Sequence, residues 1–393
     1  MGTRRYRLAI LASHPVQYHA PLYRMLTLHP AVDLTVFYGS DWGAAAYHDS
    51  GFGRKIQWDV DLLQGYRHRF LRNFSCFPSP HRFWGLFSPE ILWRLMRDRY
   101  DALLIHGYSH ASSWLGVAGA RLSRTPCLFR GETVFVPEGT SFRKAVKTPT
   151  LRWFFHQMAG CLAVGSKSKT FFQAYGVPES KIGWSPYSID QAAFAQAVSQ
   201  ARSRRADLKR NLELPEELPV ILFVGKLIPR KHPLDLLKAA TRLKKQAVLV
   251  YVGDGALRKT LETFIRQHNL SCVRLVGFKN QTELPAYYSI ADLFVLPSEY
   301  EPWGIVINEA AAAGLPIVTT TGVAAAADLV KPGQNGFLYK PGDTHTLCEL
   351  LGRLVDSPPL RSQMGRCSKE LMNHWGLEAS VAGIVKEIER CAS

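Results

Sequence analysis

Residues 220–237 read VILFVGKLIPRKHPLDLL. Five apolar residues run into Gly225, a loop carries Lys226, Arg230 and Lys231, and a helix-length segment follows. An unbroken apolar run of this length, ended by glycine, reads as a strand buried on both faces. The helical segment behind it reads as a crossover to the next parallel strand. Three cations just past a strand's carboxyl end suit a diphosphate; the plainer reading is a solvated basic turn. The spacing GxxxxGK[ST] is absent, so this is not a Walker loop.

The same rhythm extends in both directions. Upstream lie RLAIL, LTVFYG, ALLIHG, CLFRG, CLAVG and IGWSPY; downstream lie AVLVYVG, VRLVG, LFVLP, PIVTT and GFLY. Short strands alternating with helices predict two doubly wound α/β domains in tandem. The join falls in residues 187–219, which lack strand character and read as a linker plus a surface helix. The expected domains are 1–188 and 189–375, with a C-terminal helix at 376–393 that closes the second domain or crosses back to the first. Ligands of open α/β sheets sit beyond the carboxyl ends of the strands, so the cleft between the domains is the expected site.

Composition narrows the classes. The chain has 393 residues, 47% apolar and 20% charged, as in folded globular proteins. No stretch approaches the roughly 18 uncharged apolar residues of a membrane span. The start MGTRRYRLAILAS reads as a first strand rather than a signal peptide, because SHPVQY follows instead of a cleavage site. Seven scattered cysteines with no CxxC pair favour reduced thiols in a cytoplasmic protein. The net charge is +16. Residues 1–190 hold 23 basic against 12 acidic side chains, a net of +11, so the first half favours an anionic partner or simple solubility.

Residues 299–310, EYEPWGIVINEA, follow the strand LFVLP. Pro302 is expected near the first helical position. The amides of Gly304, Ile305 and Val306 would then be free donors at a positive helix end, a cradle for phosphate. Glu301 and Glu309 do not suit phosphate, but carboxylates accept bonds from sugar hydroxyls. The face around Glu309 is otherwise apolar, and a buried acid needs partners.

SEYEPWGIVINEA, with Glu301 and Glu309 as an E-x7-E pair, resembles the signature of the family 4 retaining glycosyltransferases (glycosyl transferases group 1). FVGKLIPRKHPLDLL resembles their phosphate loop, and YVGDGALRKTLE, VRLVGF and ELPAYYSIADLF follow in the family's order. YSIDQAAF resembles the segment entering the second domain. The resemblance implies the GT-B fold, two Rossmann-like domains facing across a cleft. It implies a nucleotide-sugar donor, with UDP favoured over GDP, and an acceptor hydroxyl, in polysaccharide, glycolipid or other glycoconjugate synthesis.

By that resemblance Lys226 and Lys231 hold the donor diphosphate, with Gly225 and Arg230 in the same loop. Gly304, Ile305 and Val306 give backbone bonds to phosphate. Glu309 takes the ribose hydroxyls and Glu301 a hydroxyl of the transferred sugar, while Gly277 and Phe278 lie near the base. Two departures stand out: Lys226 replaces the family's usual arginine, and TGVAAAADLV replaces the usual Gly-Gly-x-x-Glu after PIVTT, leaving Asp328 as a stand-in acid. No cofactor or metal is implied.

In the first half, His106 ends the strand ALLIH and resembles the family's active-site histidine, with His110 its rival. ASHPVQYHAPLYRML places His14 and Gln17 in a loop facing donor phosphate or acceptor. LFRGETV puts Arg130 and Glu132 at another strand end, for acceptor binding or as an ion pair. Residues 67–99 and 142–158 interleave cations with aromatics. This suits peripheral contact with the cytoplasmic face of an anionic membrane; the alternative is helices with buried aromatics and solvated cations. No nucleic-acid-binding motif accompanies it, so nucleic acid is not an expected partner. A GT-B epimerase, a phosphorylase or a non-catalytic basic scaffold are the rival readings. A Rossmann oxidoreductase would need GxGxxG where LASHPVQY stands.

Overall fold

The computed structural model describes residues 4–135, 141–243 and 246–392. The chain forms two units, each built on one parallel sheet. The first comprises residues 1–47, 60–187 and 377–393, and the second comprises 48–59 and 188–376.

The first unit's sheet holds β1 (Tyr6–Ala12) and β2 (Val32–Tyr38). The two short strands of a hairpin come next in the chain, β3 (Tyr47–Asp49) and β4 (Arg54–Ile56). The sheet resumes with β5 (His68–Phe70), β6 (Ala102–His106), β7 (Cys127–Arg130), β8 (Gly160–Ala163) and β9 (Ile182–Trp184). Its order is β5-β2-β1-β6-β7-β8-β9. Burial on both faces explains the apolar runs. In β1, Leu8 and Ile10 pack with helix His19–Leu28 and with the C-terminal helix Leu377–Ala392. Ala9 and Leu11 point the other way, into a core with Ile91, Val117 and Phe154. The C-terminal helix is tied to this unit by Ser380, whose carbonyl accepts the Ser185 hydroxyl at 3.1 Å.

The second unit's sheet holds β10 (Val220–Val224), β11 (Val248–Val252), β12 (Val273–Gly277), β13 (Leu293–Leu296), β14 (Ile317–Thr320) and β15 (Gly336–Tyr339). The order is β12-β11-β10-β13-β14-β15. All five residues of β10 are buried, which accounts for VILFV.

Strand order in the second sheet reverses between β10 and β13, and in the first between β1 and β6. At such a switch point the two neighbouring crossovers depart to opposite faces and leave a crevice past the carboxyl ends. The loops after β10 and β13 carry Lys226–Lys231 and Glu299–Val306. The loops after β1 and β6 carry His14 and His106.

Three local expectations change. Residues 187–219 hold two helices, Gln191–Arg202 and Arg205–Asn211, not one. The helix after β13 begins at Val306 rather than near Pro302. Gly304 lies at φ +94°, which breaks a helical path, and a Cβ there would meet Val323 at 2.9 Å. Residues 48–59, inside the expected first domain, group with the second unit because their side chains bind its loops, as described next.

Candidate active site

In the second unit the Glu301 carboxylate organises the switch point. It is 5% exposed. Lys231 Nζ lies 2.5 Å from Oε1 and Arg230 Nη1 lies 3.2 Å from Oε2, while the Ser298 hydroxyl donates to Oε1 at 2.9 Å. Arg230 also donates to the Tyr300 carbonyl at 2.5 Å, so its guanidinium clamps the β13 loop. Burial pulls the Lys231 ammonium below the ordinary lysine range, and Glu301 works against that shift. The loops after β10 and β13 thus meet through one buried ion pair, Lys231 with Glu301.

The loop after β14 supports the same carboxylate from behind. The Glu301 N–H donates to the Gly322 carbonyl, and the Glu301 and Trp303 carbonyls accept the Ala324 and Ala325 amides. The alanine-rich departure TGVAAAADLV therefore lets backbone pack on backbone beside Glu301. Asp328 lies further along, in helix Ala326–Leu329. Trp303 is buried, donates from Nε1 to Asn308 at 2.8 Å and stacks on Trp375. That anchors the loop holding Gly304 and Ile305. The helix is entered at Val306; the Ile307 and Asn308 amides donate to the Gly304 and Ile305 carbonyls, and the amides of Gly304, Ile305 and Val306 stand ahead of that ladder.

Glu309 is buried one turn into this helix and accepts the Tyr288 hydroxyl at 2.7 Å. Burial raises its pKa to about 7, with the Tyr288 bond opposing. Tyr288, in AYYSIADLF, is a partner the sequence did not single out.

Lys226 is engaged by a residue that sequence reasoning missed. Its Nζ donates to both oxygens of Asp49, at 2.8 and 3.0 Å. Asp49 Oδ1 also accepts the Gly51 and Phe52 amides at 2.8 and 3.0 Å. The Phe52 ring sits under Lys226 Nζ and edge-on to Phe278. Arg54 lies over Phe278 from the other strand of the hairpin. Gly277 ends β12, and just beyond it Asn280 donates to the Gln57 carbonyl at 2.7 Å. The Asp59 carboxylate accepts the Thr282 amide at 3.1 Å.

The first unit holds a cavity of about 170 Å³ at its own switch point, lined among others by Ser13, His19, His106, Arg130, Glu132 and Tyr187. His106 stacks on His19 at 4.6 Å, and its buried Nε2 has no hydrogen-bond partner among the described residues. Burial holds both imidazoles neutral, His19 down to about 3, with Arg130 adding to each shift. Arg130 is buried and donates to Ser185 Oγ at 2.9 Å and to the Pro186 carbonyl at 3.0 Å, while Glu132 hydrogen-bonds Tyr187. His14 lines the cavity too, with Nδ1 at 2.9 Å from Ser13 Oγ and its pKa lowered by burial to about 4. His110 is turned elsewhere, its Nε2 on the Pro80 carbonyl at 2.7 Å. Gln17 is half-buried and does not line the cavity. His19 was within sight in HPVQYH, five residues after His14, but it begins a helix and its direction follows only from packing.

Residues 204–371 match the model of the family described as glycosyl transferases group 1. One relative is the UDP-Gal:alpha-D-GlcNAc-diphosphoundecaprenol alpha-1,3-galactosyltransferase of Escherichia coli. It is 29% identical over 296 residues, covering 72% of this chain and 73% of that one. The alpha-D-kanosaminyltransferase of Streptomyces kanamyceticus is 32% identical, over 48% of this chain and 51% of its own. Among solved structures, Anabaena Alr3699/HepE in complex with UDP superposes with a TM-score of 0.73 at 17% identity, covering 98% of this chain and all of that one. With two parallel-sheet α/β units and the motif-bearing loops at a switch point, the chain has the GT-B fold, and its segment 204–371 is that of the group 1 glycosyl transferases.

Proposed function

We propose that this protein transfers a sugar from a nucleoside diphosphate sugar, UDP-linked, to an acceptor hydroxyl, with retention and without a metal. The observation that carries the donor reading is the second unit's switch point. It joins Lys226, Lys231 and the amides before Val306, which suit a diphosphate, to Glu301 and Glu309, which suit hydroxyls. Negative charge develops on the leaving diphosphate, and the lysines and amides are the groups that would stabilise it. The first unit's cavity, with the neutral His19–His106 stack, suits an acceptor hydroxyl. The Anabaena protein solved with UDP and the E. coli galactosyltransferase named for UDP-Gal support the choice of nucleotide. The latter's acceptor is a polyprenol-linked diphosphate, and we extend that class, a lipid-linked anionic acceptor, to this chain.

Glu309 supplies a test by pH. Its carboxyl, raised to about 7 in the free protein, is protonated in much of the population at pH 6.5. Ribose hydroxyls donate to the ionised form, so binding would lower that pKa and release a proton. Affinity is then expected to rise as pH increases from about 5 to about 7 and to level off above that. Calorimetry with uridine, which has the ribose and no phosphate, in buffers of different ionisation enthalpy would read the proton directly. Glu309→Gln should abolish the release. A pH-independent affinity in the wild type would remove Glu309 from the ribose site.

The first unit offers a surface suited to a lipid-linked acceptor. Residues 72–85 form an ordered loop: Asn73 donates to the Gly85 carbonyl and accepts the Phe87 amide, both at 2.9 Å. That loop presents Phe74, Phe77 and Trp84 to solvent, Phe77 at 73% and Trp84 at 67% exposure. Trp93 and Met96 are exposed on the adjoining helix Glu90–Asp98, with Arg94 and Arg97 over the Trp93 ring. Residues 67–99 carry seven arginines against Glu90 and Asp98, a net of +5. Exposed aromatics ringed by cations fit an anionic bilayer surface. In the second basic stretch, the side chains of 142–146 lie outside the described residues, and Trp153 is exposed. Among the described residues no helix is long and apolar enough to cross a membrane. We place the protein on the cytoplasmic face as a peripheral protein. It is expected to sediment with phosphatidylglycerol-containing vesicles and not with pure phosphatidylcholine, and Phe77→Ser with Trp84→Ser should lose most of that binding. Equal recovery with both vesicle types would count against the surface.

A further inference from the structure

The hairpin 48–59 grips the loops that follow β10 and β12, on either side of β11. Asp49 takes Lys226, Phe52 and Arg54 enclose Phe278, and Gln57 and Asp59 hold Asn280 and Thr282. Its charged tip is therefore bonded to a lysine that the donor diphosphate also needs. We propose that Asp49 is a displaceable counter-ion of Lys226 that sets how tightly the protein holds a nucleoside diphosphate. The inference rests on the reading of Lys226 as a donor-phosphate ligand.

Three features support exchange rather than a fixed strut. Both Asp49 oxygens engage the ammonium, so a diphosphate at Lys226 would meet a carboxylate of like charge at contact distance. Asp49 is anionic at neutral pH: burial pushes its pKa up, but the bonds from Lys226, Phe52 and Gly51 outweigh that. When Lys226 leaves, the Gly51 and Phe52 amides remain on Oδ1. The carboxylate is not stranded, and unpairing it avoids the penalty of a bare buried charge. Gly51 is what lets the lysine lie this close, since a Cβ there would meet Lys226 Cδ at 2.6 Å and Nζ at 2.7 Å.

In the free enzyme Asp49 occupies Lys226. On donor binding the ammonium moves from Asp49 to phosphate. After transfer the reverse exchange competes with the product diphosphate and favours its release. Donor affinity is lowered by this competition, and turnover gains an exit step.

The test compares UDP and uridine binding by calorimetry. Asp49→Asn keeps an acceptor for the two amides and removes the charge. It is expected to tighten UDP binding by at least about threefold, the scale of a partly screened ion pair, and to leave uridine binding unchanged. Gly51→Ala, which pushes Lys226 off Asp49 without touching the carboxylate, should shift UDP affinity in the same direction. In a Lys226→Ala background Asp49→Asn should do nothing further. Unchanged or weaker UDP binding by both folded single variants, or an equal gain for uridine, would overturn the proposal while leaving the donor reading intact. Wild-type protein that binds neither UDP nor GDP would overturn both.

Discussion

Replacing Lys231 by alanine is expected to lower turnover at least about tenfold, since charged contacts to a transition state are typically worth a few kcal/mol. Lys231 is the most enclosed cation of the β10 loop, with its side chain 12% exposed and bonded to Glu301 at 2.5 Å. Removing it does two things. It deletes positive charge where the leaving diphosphate would gather negative charge, and it leaves the Glu301 carboxylate with the more exposed Arg230 as its remaining cation. The second effect costs stability: breaking a buried pair by one partner is typically worth about 3–5 kcal/mol. A lower Tm alone would therefore not identify a catalytic role. The double variant Lys231→Met with Glu301→Gln separates the effects, because neutralising both partners should recover most of the lost stability and none of the activity. Near-normal transfer by folded Lys231→Ala protein would reject the role.

Glu301→Gln carries the second large effect. Turnover is expected to fall at least about tenfold, with UDP affinity kept or tightened, because Glu301 is assigned to the transferred sugar and its loss of charge frees Lys231 for the diphosphate. The glutamine keeps the shape and one acceptor for Ser298, so the β13 loop should hold its course. Steady-state kinetics with the sugar donor alongside UDP calorimetry reads both halves. A parallel loss of UDP affinity and turnover would mean that the residue merely holds Lys231 in place.

The architecture was legible because buried parallel strands leave no choice of composition. VILFV, AVLVYV and LFVL are apolar on both faces, and their order with intervening helices predicts the doubly wound sheets that the structure has. The E-x7-E spacing likewise reports a real geometry: Glu301 in the loop after β13 and Glu309 one turn into the helix. What the sequence did not carry was contact between distant segments. Asp49 and Lys226 are 177 residues apart, and nothing in YHDSGFGRK marks a hairpin that binds the loops after β10 and β12. The helix start was misjudged because Pro302 is a good first helical residue in isolation, while Gly304 and the backbone bonds from the β14 loop divert the chain before a helix can begin. The alanine run 324–327 read as the loss of a motif and proves to be the packing surface behind Glu301. His19 shows the same limit: its residue type was visible, but its stacking on His106 depends on how a helix packs against β6.

The central claim is sugar transfer from a nucleoside diphosphate donor bound at the second unit's switch point. The direct measurement is mass spectrometry of reactions with a panel of UDP- and GDP-sugars and a polyprenol-diphosphate sugar acceptor, in the presence of EDTA, with the anomeric configuration of the product read by NMR. A glycosylated acceptor formed from a UDP-sugar, with the donor's configuration retained and Lys231→Ala inactive, is the predicted result. Transfer that requires a divalent metal or inverts the anomeric centre would contradict the mechanism, and donor rearranged or cleaved with no acceptor product would contradict the assignment itself.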